Sequence, residues 1–396
     1  MKMDSGEIYS LSDSHVMQTY RRYPLALVRG RGMKVWDADG REYLDFLAGI
    51  AVCNLGHCHP LVTHAIAEQA KTLMHVSNLY YIEPQAQLAA MLTEKSFAQR
   101  VFFCNSGAEA NEAAIKLVRR YAREVKGIEA AEIITMHHSF HGRTMATLSA
   151  TGQEKIQTGY QPLLAGFRYV PFGDPEEVAR AVNEKTCAVM VEPIQGEGGI
   201  NVPGPDYLRE LRRICDDHNL FLMLDEVQCG MGRTGRLFAH QHAGIQPDVM
   251  TLAKALGAGF PIGAMLASND AAKVFGPGSH ATTFGGNPLA CSAAIAALNA
   301  IDTEDVLGNC NKMGIYLRQR LDNLKDNHKC ICDIRSSGLM VGVELDVVVA
   351  EVIQRCQEKG ILVGPAGEKT LRLTPPLIVT QANIDRLIEV LDEVLP

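Results

Sequence analysis

The 396-residue chain has no excess of positive charge and no long apolar run. Its 38 Lys and Arg residues against 45 Asp and Glu give a net charge of −7, which argues against nucleic acid or an anionic membrane as its main partner. No apolar segment approaches the roughly 20 residues that a membrane-spanning helix needs. The first stretch, MKMDSGEIYSLSDSHVMQTY, is polar and acidic, so we expect neither a secretory signal nor a basic transit peptide.

The eleven cysteines accompany no secretory signal. This combination favours free thiols in a reducing compartment, and we expect a cytoplasmic protein. One group in CNLGHCHP, formed by Cys53, His57, Cys58 and His59, has the ligand types of a zinc site. It lacks a second half-site downstream at the usual spacing. We therefore expect no metal there, and we interpret the stretch as a loop that leads into a helix beginning at Pro60.

Length and the order of predicted elements indicate more than one domain, because 396 residues exceed one ordinary domain. Residues 26–48 alternate apolar and polar side chains around the turn DADG, as in a hairpin. Near-continuous apolar strands then alternate with helices, which predicts an α/β fold with a mostly parallel sheet covered on both faces. We predict an N-terminal segment 1–59 that packs with a small domain, a large α/β domain 60–288, and a small α+β domain 289–396.

Two polar residues follow apolar strands, where ligands bind in open α/β sheets. Asp225 ends LFLMLD; it is either a solvated loop acid or helix cap, or a buried carboxylate that holds a cation. Lys254 follows PDVMTLA and precedes the small residues of ALGAG, which leave room for a flat ring. An isolated lysine is most often at the surface, but in a partly dry pocket its pKa falls and it can form a Schiff base.

A third feature is FFCNSGAEANEAAIKLV, where a helix opens directly after a strand. Ser106 and Glu109 have the spacing of a capping box. The same helix start, with Gly107 and Ala108, is also typical of a phosphate site, since its free N–H groups and dipole favour an anion. A second loop of small residues, HATTFGGNP, follows Lys254. A phosphate site, a carboxylate for a ring nitrogen and a Schiff-base lysine are together the anchors of pyridoxal phosphate.

The stretch Gly230–Gly235 matches the dinucleotide fingerprint Gly-x-Gly-x-x-Gly and follows a strand. The fingerprint requires a long amphipathic helix next, and RLFAHQHAGIQPD does not have that pattern. Asp225 and Glu226 would also place two carboxylates beside the pyrophosphate. We therefore do not expect a nicotinamide cofactor.

The chain resembles the class III (ω-amino) aminotransferases of the aspartate-aminotransferase fold type, also called fold-type I. The resemblance runs nearly end to end and rests on an ordered series of motifs. These are YLDFLAGIAVCNLGHCHP, FFCNSGAEANEAAIKL, SFHGRT, VMVEPIQGEGG, LMLDEVQCGMGRTG, LAKALGAGFPIGA, TTFGGNPLACSAA and LRLTPPL.

The resemblance implies how pyridoxal phosphate would be bound. Lys254 would carry it as a Schiff base and later shuttle a proton, and Asp225 would pair with the ring nitrogen. Phe140 would stack on the ring, and Gln228 would contact its phenolic oxygen. The phosphate would be bound by the start of the helix, at Ser106, Gly107 and Ala108.

The resemblance also implies a homodimer with shared active sites, in which Thr283 reaches the phosphate in the neighbouring subunit. Arg143 and Thr282 would contact the amine donor, and Arg372 would bind the α-carboxylate of 2-oxoglutarate or glutamate. Glu197 would act as a gate, pairing with Arg372 while the donor is bound.

Within the family, LDFLAGIAV, SFHGRT and the compact length resemble the branch that acts on N-acetylornithine. Succinylornithine, ornithine and 4-aminobutyrate remain alternative donors, because the other subunit forms part of the pocket wall. The loop TTFGGNP departs from the family pattern: Thr282 and Phe284 stand where Ser and Tyr are more frequent. The threonine keeps its hydroxyl, whereas Phe284 loses one.

Overall fold

The computed structural model describes residues 3–396; residues 1 and 2 of the predicted segment 1–59 lie outside that range. Fifteen strands are found within it. They are β1 (Leu27–Arg31), β2 (Lys34–Asp37), β3 (Glu42–Asp45), β4 (Arg100–Cys104), β5 (Glu132–Met136), β6 (Phe167–Val170), β7 (Thr186–Val191), β8 (Phe221–Asp225), β9 (Val249–Leu252), β10 (Gly263–Ala267), β11 (Ile331–Ser337), β12 (Met340–Leu345), β13 (Ile361–Leu362), β14 (Gly364–Pro365) and β15 (Thr370–Leu373).

Fourteen α-helices are found in residues 3–396. They are α1 (Ser5–His15), α2 (Ala48–Ala51), α3 (Pro60–Thr72), α4 (Glu83–Glu94), α5 (Gly107–Glu124), α6 (Met145–Ala150), α7 (Glu154–Gln157), α8 (Pro175–Ala181), α9 (Tyr207–Asp217), α10 (Asn269–Ala272), α11 (Pro288–Thr303), α12 (Val306–Asn327), α13 (Ala350–Glu358) and α14 (Gln381–Val394). Short 3₁₀ turns occur at Ala239–His242 and Lys254–Gly257. No helix of the described residues is both long and apolar enough to cross a membrane.

Seven strands form the central sheet, in the order β4-β10-β9-β8-β7-β5-β6. All run in the same direction except β10, which is antiparallel to both of its neighbours. Met223 of β8 packs with the apolar side of α5 on one face, and Leu222 and Leu224 pack with α9 on the other. Both faces are therefore covered, which explains why β8 reads as a continuous apolar run. The predicted α/β class with a mostly parallel sheet is confirmed.

The N-terminal hairpin belongs to a second, four-stranded sheet of order β1-β2-β3-β13. Its last strand comes from the C-terminal part of the chain: Ile361 pairs with Leu44 in parallel. A third sheet, of order β11-β12-β15-β14, lies wholly in the C-terminal part. Because β13 joins the hairpin, we propose the division into 1–59, 60–288 and 289–396 with the first segment packed on the small domain.

Candidate active site

Asp225 is the last residue of β8 and is only 4% exposed. Its Oδ2 accepts hydrogen bonds from His141 Nδ1 and Asn111 Nδ2, both at 2.8 Å, and its Oδ1 accepts from the N–H of Val227 at 3.1 Å. Since a carboxylate only accepts, His141 must carry a proton on Nδ1. Three donors thus fix the carboxylate in one orientation at the carboxyl end of the sheet.

Lys254 follows β9 in a tight turn, with a left-handed φ of 44°. Its Nζ makes no hydrogen bond or ion pair with any residue in the range 3–396. Burial lowers the pKa of Lys254, and the positive charge of Arg372 lowers it further, while Glu197 and Asp225 act in the opposite direction. The side chain therefore has the surroundings of an amine that loses its proton more readily than a surface lysine.

The start of α5 faces the same space. Ser106 caps the helix, accepting from Glu109 N at 3.2 Å. The predicted capping box is only half formed, because the Glu109 carboxylate accepts from the N–H of Asn105 at 2.5 Å instead of Ser106. Within residues 3–396, the N–H groups of Gly107 and Ala108 donate to no other group. They are free donors at a helix N-terminus, as an anion site requires.

These elements surround one cavity of about 420 Å³. Eight of the predicted site residues line it: Ser106, Gly107, Ala108, Phe140, Arg143, Asp225, Gln228 and Lys254. The Arg143 guanidinium lies 5.7 Å from the centre of the Phe140 ring. The volume lies in the range typical of a small-molecule or cofactor site.

Glu197 and Arg372 form an ion pair next to this cavity. Arg372 Nη2 donates to Glu197 Oε2 at 2.8 Å, and Nη1 donates to Oε1. Burial by itself raises the pKa of Glu197, but the hydrogen bonds and charge of Arg372 outweigh it and lower the pKa to about 2. Gln228 bonds both partners: its Nε2 donates to Glu197 at 3.1 Å and its Oε1 accepts from Arg372 at 3.3 Å.

Two predicted residues do not reach the cavity of their own chain. Thr282 Oγ1 accepts from Asn105 Nδ2 at 3.4 Å and from Gly285 N at 3.2 Å. Thr283 is exposed and belongs to a separate surface pocket. Within one chain, therefore, the structure does not bring these two side chains to Lys254.

The sequence analysis missed three polar residues at the cavity. His141 and Asn111 hold Asp225, and they lie within the motifs SFHGRT and FFCNSGAEANEAAIKL. Glu192 accepts from Phe140 N at 2.9 Å and from Gly196 N at 3.1 Å, and burial raises its pKa to about 7. Glu192 directly follows the buried strand β7, so the rule that selected Asp225 could also have found it.

Two motifs from which we expect no cofactor or metal, the Gly-x-Gly-x-x-Gly match and the cysteine–histidine group, each contain a residue with defined structural contacts. Arg233, inside the Gly-x-Gly-x-x-Gly match, is fully buried and donates to the carbonyl of Leu339 at 3.0 Å, to that of Pro375 at 2.6 Å and to the side chain of Asn54. His57, from the cysteine–histidine group, bonds Asp45 at 2.7 Å; this bond raises the pKa of His57 to about 10. All eleven cysteines are free, as expected.

The donor set fits pyridoxal phosphate. Among the described residues, the cavity presents an amine without a partner at Lys254, a fixed carboxylate at Asp225, and free N–H groups at the start of α5. A Cβ at Gly107 would lie 2.8 Å from Val227 Cγ1, so only glycine lets the helix start approach the loop that follows Asp225. An α/β fold with these groups in one cavity defines a pyridoxal-phosphate enzyme.

Comparison with known proteins identifies the family. The model of the aminotransferase class-III family matches residues 16–395, and the chain belongs to that family of pyridoxal-phosphate-dependent enzymes. It is 54% identical to an acetylornithine aminotransferase from Caldanaerobacter subterraneus subsp. tengcongensis over 382 residues, covering 96% of this chain and 97% of that protein.

Solved structures agree with this assignment. An ornithine aminotransferase from Toxoplasma gondii, described with partial occupancy of pyridoxal phosphate at its active site, has a TM-score of 0.96 and 34% identity, covering 100% of this chain and 94% of the other. An N-acetylornithine aminotransferase from Stenotrophomonas maltophilia has a TM-score of 0.83 and 39% identity, covering 97% of both chains.

Proposed function

We propose that the protein transfers the terminal amino group of N2-acetyl-L-ornithine to 2-oxoglutarate. The products are N-acetylglutamate 5-semialdehyde and L-glutamate, and the reaction belongs to arginine biosynthesis. The observation that carries the proposal is the joint position of Lys254 and Asp225 in one cavity, beside an arginine that a carboxylate masks. The donor is inferred from the 54% identical acetylornithine aminotransferase of Caldanaerobacter.

Pyridoxal phosphate, when bound, supplies an aldehyde for the substrate amine and a ring that accepts the electron pair of a broken C–H bond. Asp225 would hold the proton on the ring nitrogen, since three fixed donors keep this carboxylate in place. Lys254 would hold the cofactor at rest. As a neutral amine, it would take the proton from the substrate carbon and later return it. Phe140 would lie against the ring, and the start of α5, with Ser106, Gly107 and Ala108, would hold the phosphate.

Two different substrates must use this one cavity. The donor carries its reacting amine far from its carboxylate, whereas 2-oxoglutarate carries a carboxylate beside the reacting carbonyl. Arg372 must therefore be masked in the first case and free in the second. The Glu197–Arg372 pair provides the mask. Arg143 at the cavity wall would contact the outer part of the donor, together with Thr282 of the partner subunit. The planar fork of arginine suits a carboxylate better than lysine does.

We propose a homodimer with shared active sites. The segments 73–81 and 281–287 contact each other, for Asn78 Nδ2 donates to the carbonyl of Gly285 at 2.9 Å. They expose large apolar side chains, including Leu79 at 86% and Phe284 at 60%. A patch of this kind beside a cavity is typical of a subunit interface. In the dimer, Thr283 would reach the cofactor phosphate of the partner. The eleven free thiols support a cytoplasmic location.

A visible spectrum tests the proposed reaction. The protein loaded with pyridoxal phosphate should be yellow, should lose its visible band when N-acetylornithine is added alone, and should regain it with 2-oxoglutarate. Loss of the band only with ornithine, succinylornithine or 4-aminobutyrate would show that the mechanism is right and the donor is wrong. A protein that stays colourless in excess pyridoxal phosphate would contradict the proposal.

Mixed dimers test the sharing of active sites. Lys254→Ala and Thr283→Arg should each be inactive as purified homodimers, because each site then lacks one component. Unfolding and refolding the two together should restore activity, since a mixed dimer has one site with Lys254 from one chain and Thr283 from the other. A mixture that stays inactive, although mixed dimers form, would mean that Thr283 serves its own chain or none.

A further inference from the structure

Gln228 lies between the two partners of the ion pair and is only 7% exposed. Arg372 can only donate hydrogen bonds and the Glu197 carboxylate can only accept them. One orientation of the amide therefore satisfies both contacts, with Oε1 facing Arg372 at 3.3 Å and Nε2 facing Glu197 at 3.1 Å. The family resemblance implies a contact with the cofactor's phenolic oxygen. Nε2 carries two N–H groups, so that contact is compatible with the bonds of the amide to the Glu197–Arg372 pair.

All five N–H groups of Arg372 are used in this arrangement. Nε donates to the carbonyl of Pro365 at 3.1 Å, and Nη2 donates to the same carbonyl at 2.6 Å and to Glu197. Nη1 donates to Glu197 and to Gln228. If Glu197 moves away, one N–H on each Nη becomes free, and these form the parallel fork that recognises a carboxylate. The bonds to Pro365 and Gln228 still hold the guanidinium in place.

The departure of Glu197 also frees Gln228 Nε2. A donor left unpaired in a buried position costs free energy, and the vacated position lies where Arg372 and Gln228 both point their N–H groups. A carboxylate that arrives there takes over every hydrogen bond that Glu197 gave up. Building on the proposed function, we infer that Gln228 binds the carboxylate of the dicarboxylate acceptor, as the third N–H donor beside the two of Arg372.

Gly196 supports this assignment by its close packing on Gln228. A Cβ at Gly196 would lie 2.4 Å from both Cδ and Nε2 of Gln228. The Gly196 N–H is itself fixed by Glu192 at 3.1 Å. Any side chain at position 196 would therefore push the amide away from the ion pair, while the glycine lets it lie flat against the backbone.

The inference has a thermodynamic signature. Gln228 donates the same hydrogen bond to Glu197 when the ion pair is closed and to the ligand when Glu197 has moved away. Removing the amide therefore weakens both states, and the two effects on ligand affinity largely cancel. Without Glu197 the bond to the ligand has no competitor. The effect of changing Gln228 should therefore depend on whether Glu197 is present.

The test is a double-mutant cycle read by calorimetry. Glutarate, an unreactive five-carbon dicarboxylate, is titrated into the cofactor-loaded wild type, Gln228→Met, Glu197→Ala and the double variant. Methionine has a similar length but offers no amide. We expect Gln228→Met to change the Kd less than about threefold in the wild type and to weaken binding at least about tenfold in Glu197→Ala, as for a hydrogen bond to a charged group.

Two results would overturn the inference. An equal change in both backgrounds would mean that Gln228 acts through the cofactor or the fold. Tighter binding in the wild type, with no change in Glu197→Ala, would mean that Gln228 serves only the closed pair. Gly196→Ala keeps Gln228 and should reproduce the pattern of Gln228→Met with little loss of thermal stability, which guards against a misfolded variant.

The cycle also separates this inference from the proposed function. N-acetylornithine could remove the visible band of the wild type while Gln228→Met has equal effects with and without Glu197. That result would contradict only the role of Gln228. If no amine removes the band and glutarate does not bind the loaded wild type, both the transaminase function and the role of Gln228 are contradicted.

Discussion

Two carboxylates of the site, Asp225 in the cavity wall and Glu197 beside the cavity, are held in different ways. Asp225 ends a central strand and accepts from a histidine ring, an amide and a backbone N–H, all in the packed core. Glu197 lies in the loop 196–199, and within residues 3–396 its carboxylate bonds only to the side chains of Arg372 and Gln228. One carboxylate is fixed by the fold, and the other is held by partners that a substrate can replace.

This difference matches the two chemical demands. The ring nitrogen needs the same negative charge in both half-reactions, so its partner should not move. The carboxylate of the acceptor needs a positive site that is absent while the donor is bound, so its partner must move. Gly199 has a φ of 123°, a conformation that glycine adopts without strain. The backbone of the loop that carries Glu197 therefore depends on glycine at position 199.

Asp225→Asn should have the largest effect. It removes the fixed charge while keeping the shape, so we expect both half-reactions to slow by about 100- to 1000-fold, as when one electrostatic stabiliser is removed from an active site. Stopped-flow spectra of each half-reaction measure this. Asp248→Asn is the matched control: it breaks the contact with Arg212 at 2.7 Å outside the cavity and should leave both rates near wild type. Unequal losses for Asp225→Asn would contradict a charge needed equally in both.

Glu197→Ala should separate the half-reactions. Arg372 is then always free, so 2-oxoglutarate should bind at least about tenfold more tightly. The donor half-reaction should slow, because an unmasked positive charge attracts the wrong end of the substrate. Comparing the kcat/KM values of the two half-reactions checks this. A variant that slows both equally would show that Glu197 is fixed like Asp225.

The pH dependence of the pair follows from the lowered pKa of Glu197. Its carboxylate stabilises the folded state above the ordinary glutamate pKa of 4.5, and this contribution is lost as the pH falls towards about 2. The pair should therefore stay closed from pH 5 upwards. Glutarate titrations between pH 5 and 8 measure how the Kd depends on pH. Any dependence that the wild type shows in this range should persist in Glu197→Gln, because Glu197 does not titrate there.

Lys254 should change the stability of the folded protein less than Glu197 does, and in the opposite direction. Burial lowers its pKa, so the charged form destabilises the cofactor-free protein at any pH below the pKa of the unfolded chain, about 10.4. Cofactor-free Lys254→Met should melt at a higher temperature than the wild type at pH 7, and the gap should narrow as the pH approaches that value. A gap that widens with pH would mean that Lys254 is charged and favourably paired.

The smallest effect is expected at the phosphate end. Ser106→Ala removes the cap of α5 but leaves the backbone N–H groups of Gly107 and Ala108 in place. It should cost about 1 kcal/mol of stability and weaken cofactor binding a few-fold, without changing the ratio of the half-reactions. Thermal melting and a cofactor titration measure both. Complete loss of cofactor binding would show that the hydroxyl, and not the backbone, binds the phosphate.

Ligands bind beyond the carboxyl ends of the strands in an open α/β sheet. This strand-end rule accounts for the site residues that their neighbouring sequence predicts. Asp225 ends one buried strand of the central sheet and Lys254 follows another, and parallel strands bring such residues to one edge. The helix start at Gly107 follows β4 in the same way. The rule covers Glu192 as well. That residue stands in the motif VMVEPIQGEGG, in which the family resemblance assigns a role to Glu197.

The other features depend on contacts between distant parts of the chain. Arg372 lies in a different sheet from Asp225, so only the family resemblance placed it at the site. The orientation of Gln228 follows from a charge pair whose members are 175 residues apart, and nothing near Gln228 in sequence indicates it. Thr283 needs a second chain to reach a cofactor, and its role stays a prediction.

The account depends most directly on Lys254 as the residue that binds the cofactor. The loaded protein would be reduced with sodium borohydride, digested, and its peptides analysed by mass spectrometry. We predict the pyridoxyl group on Lys254 and on no other lysine, with none incorporated into Lys254→Ala. Modification at another lysine, or none in a protein that is visibly yellow, would contradict the assignment of the cavity between Asp225 and α5 as the cofactor site.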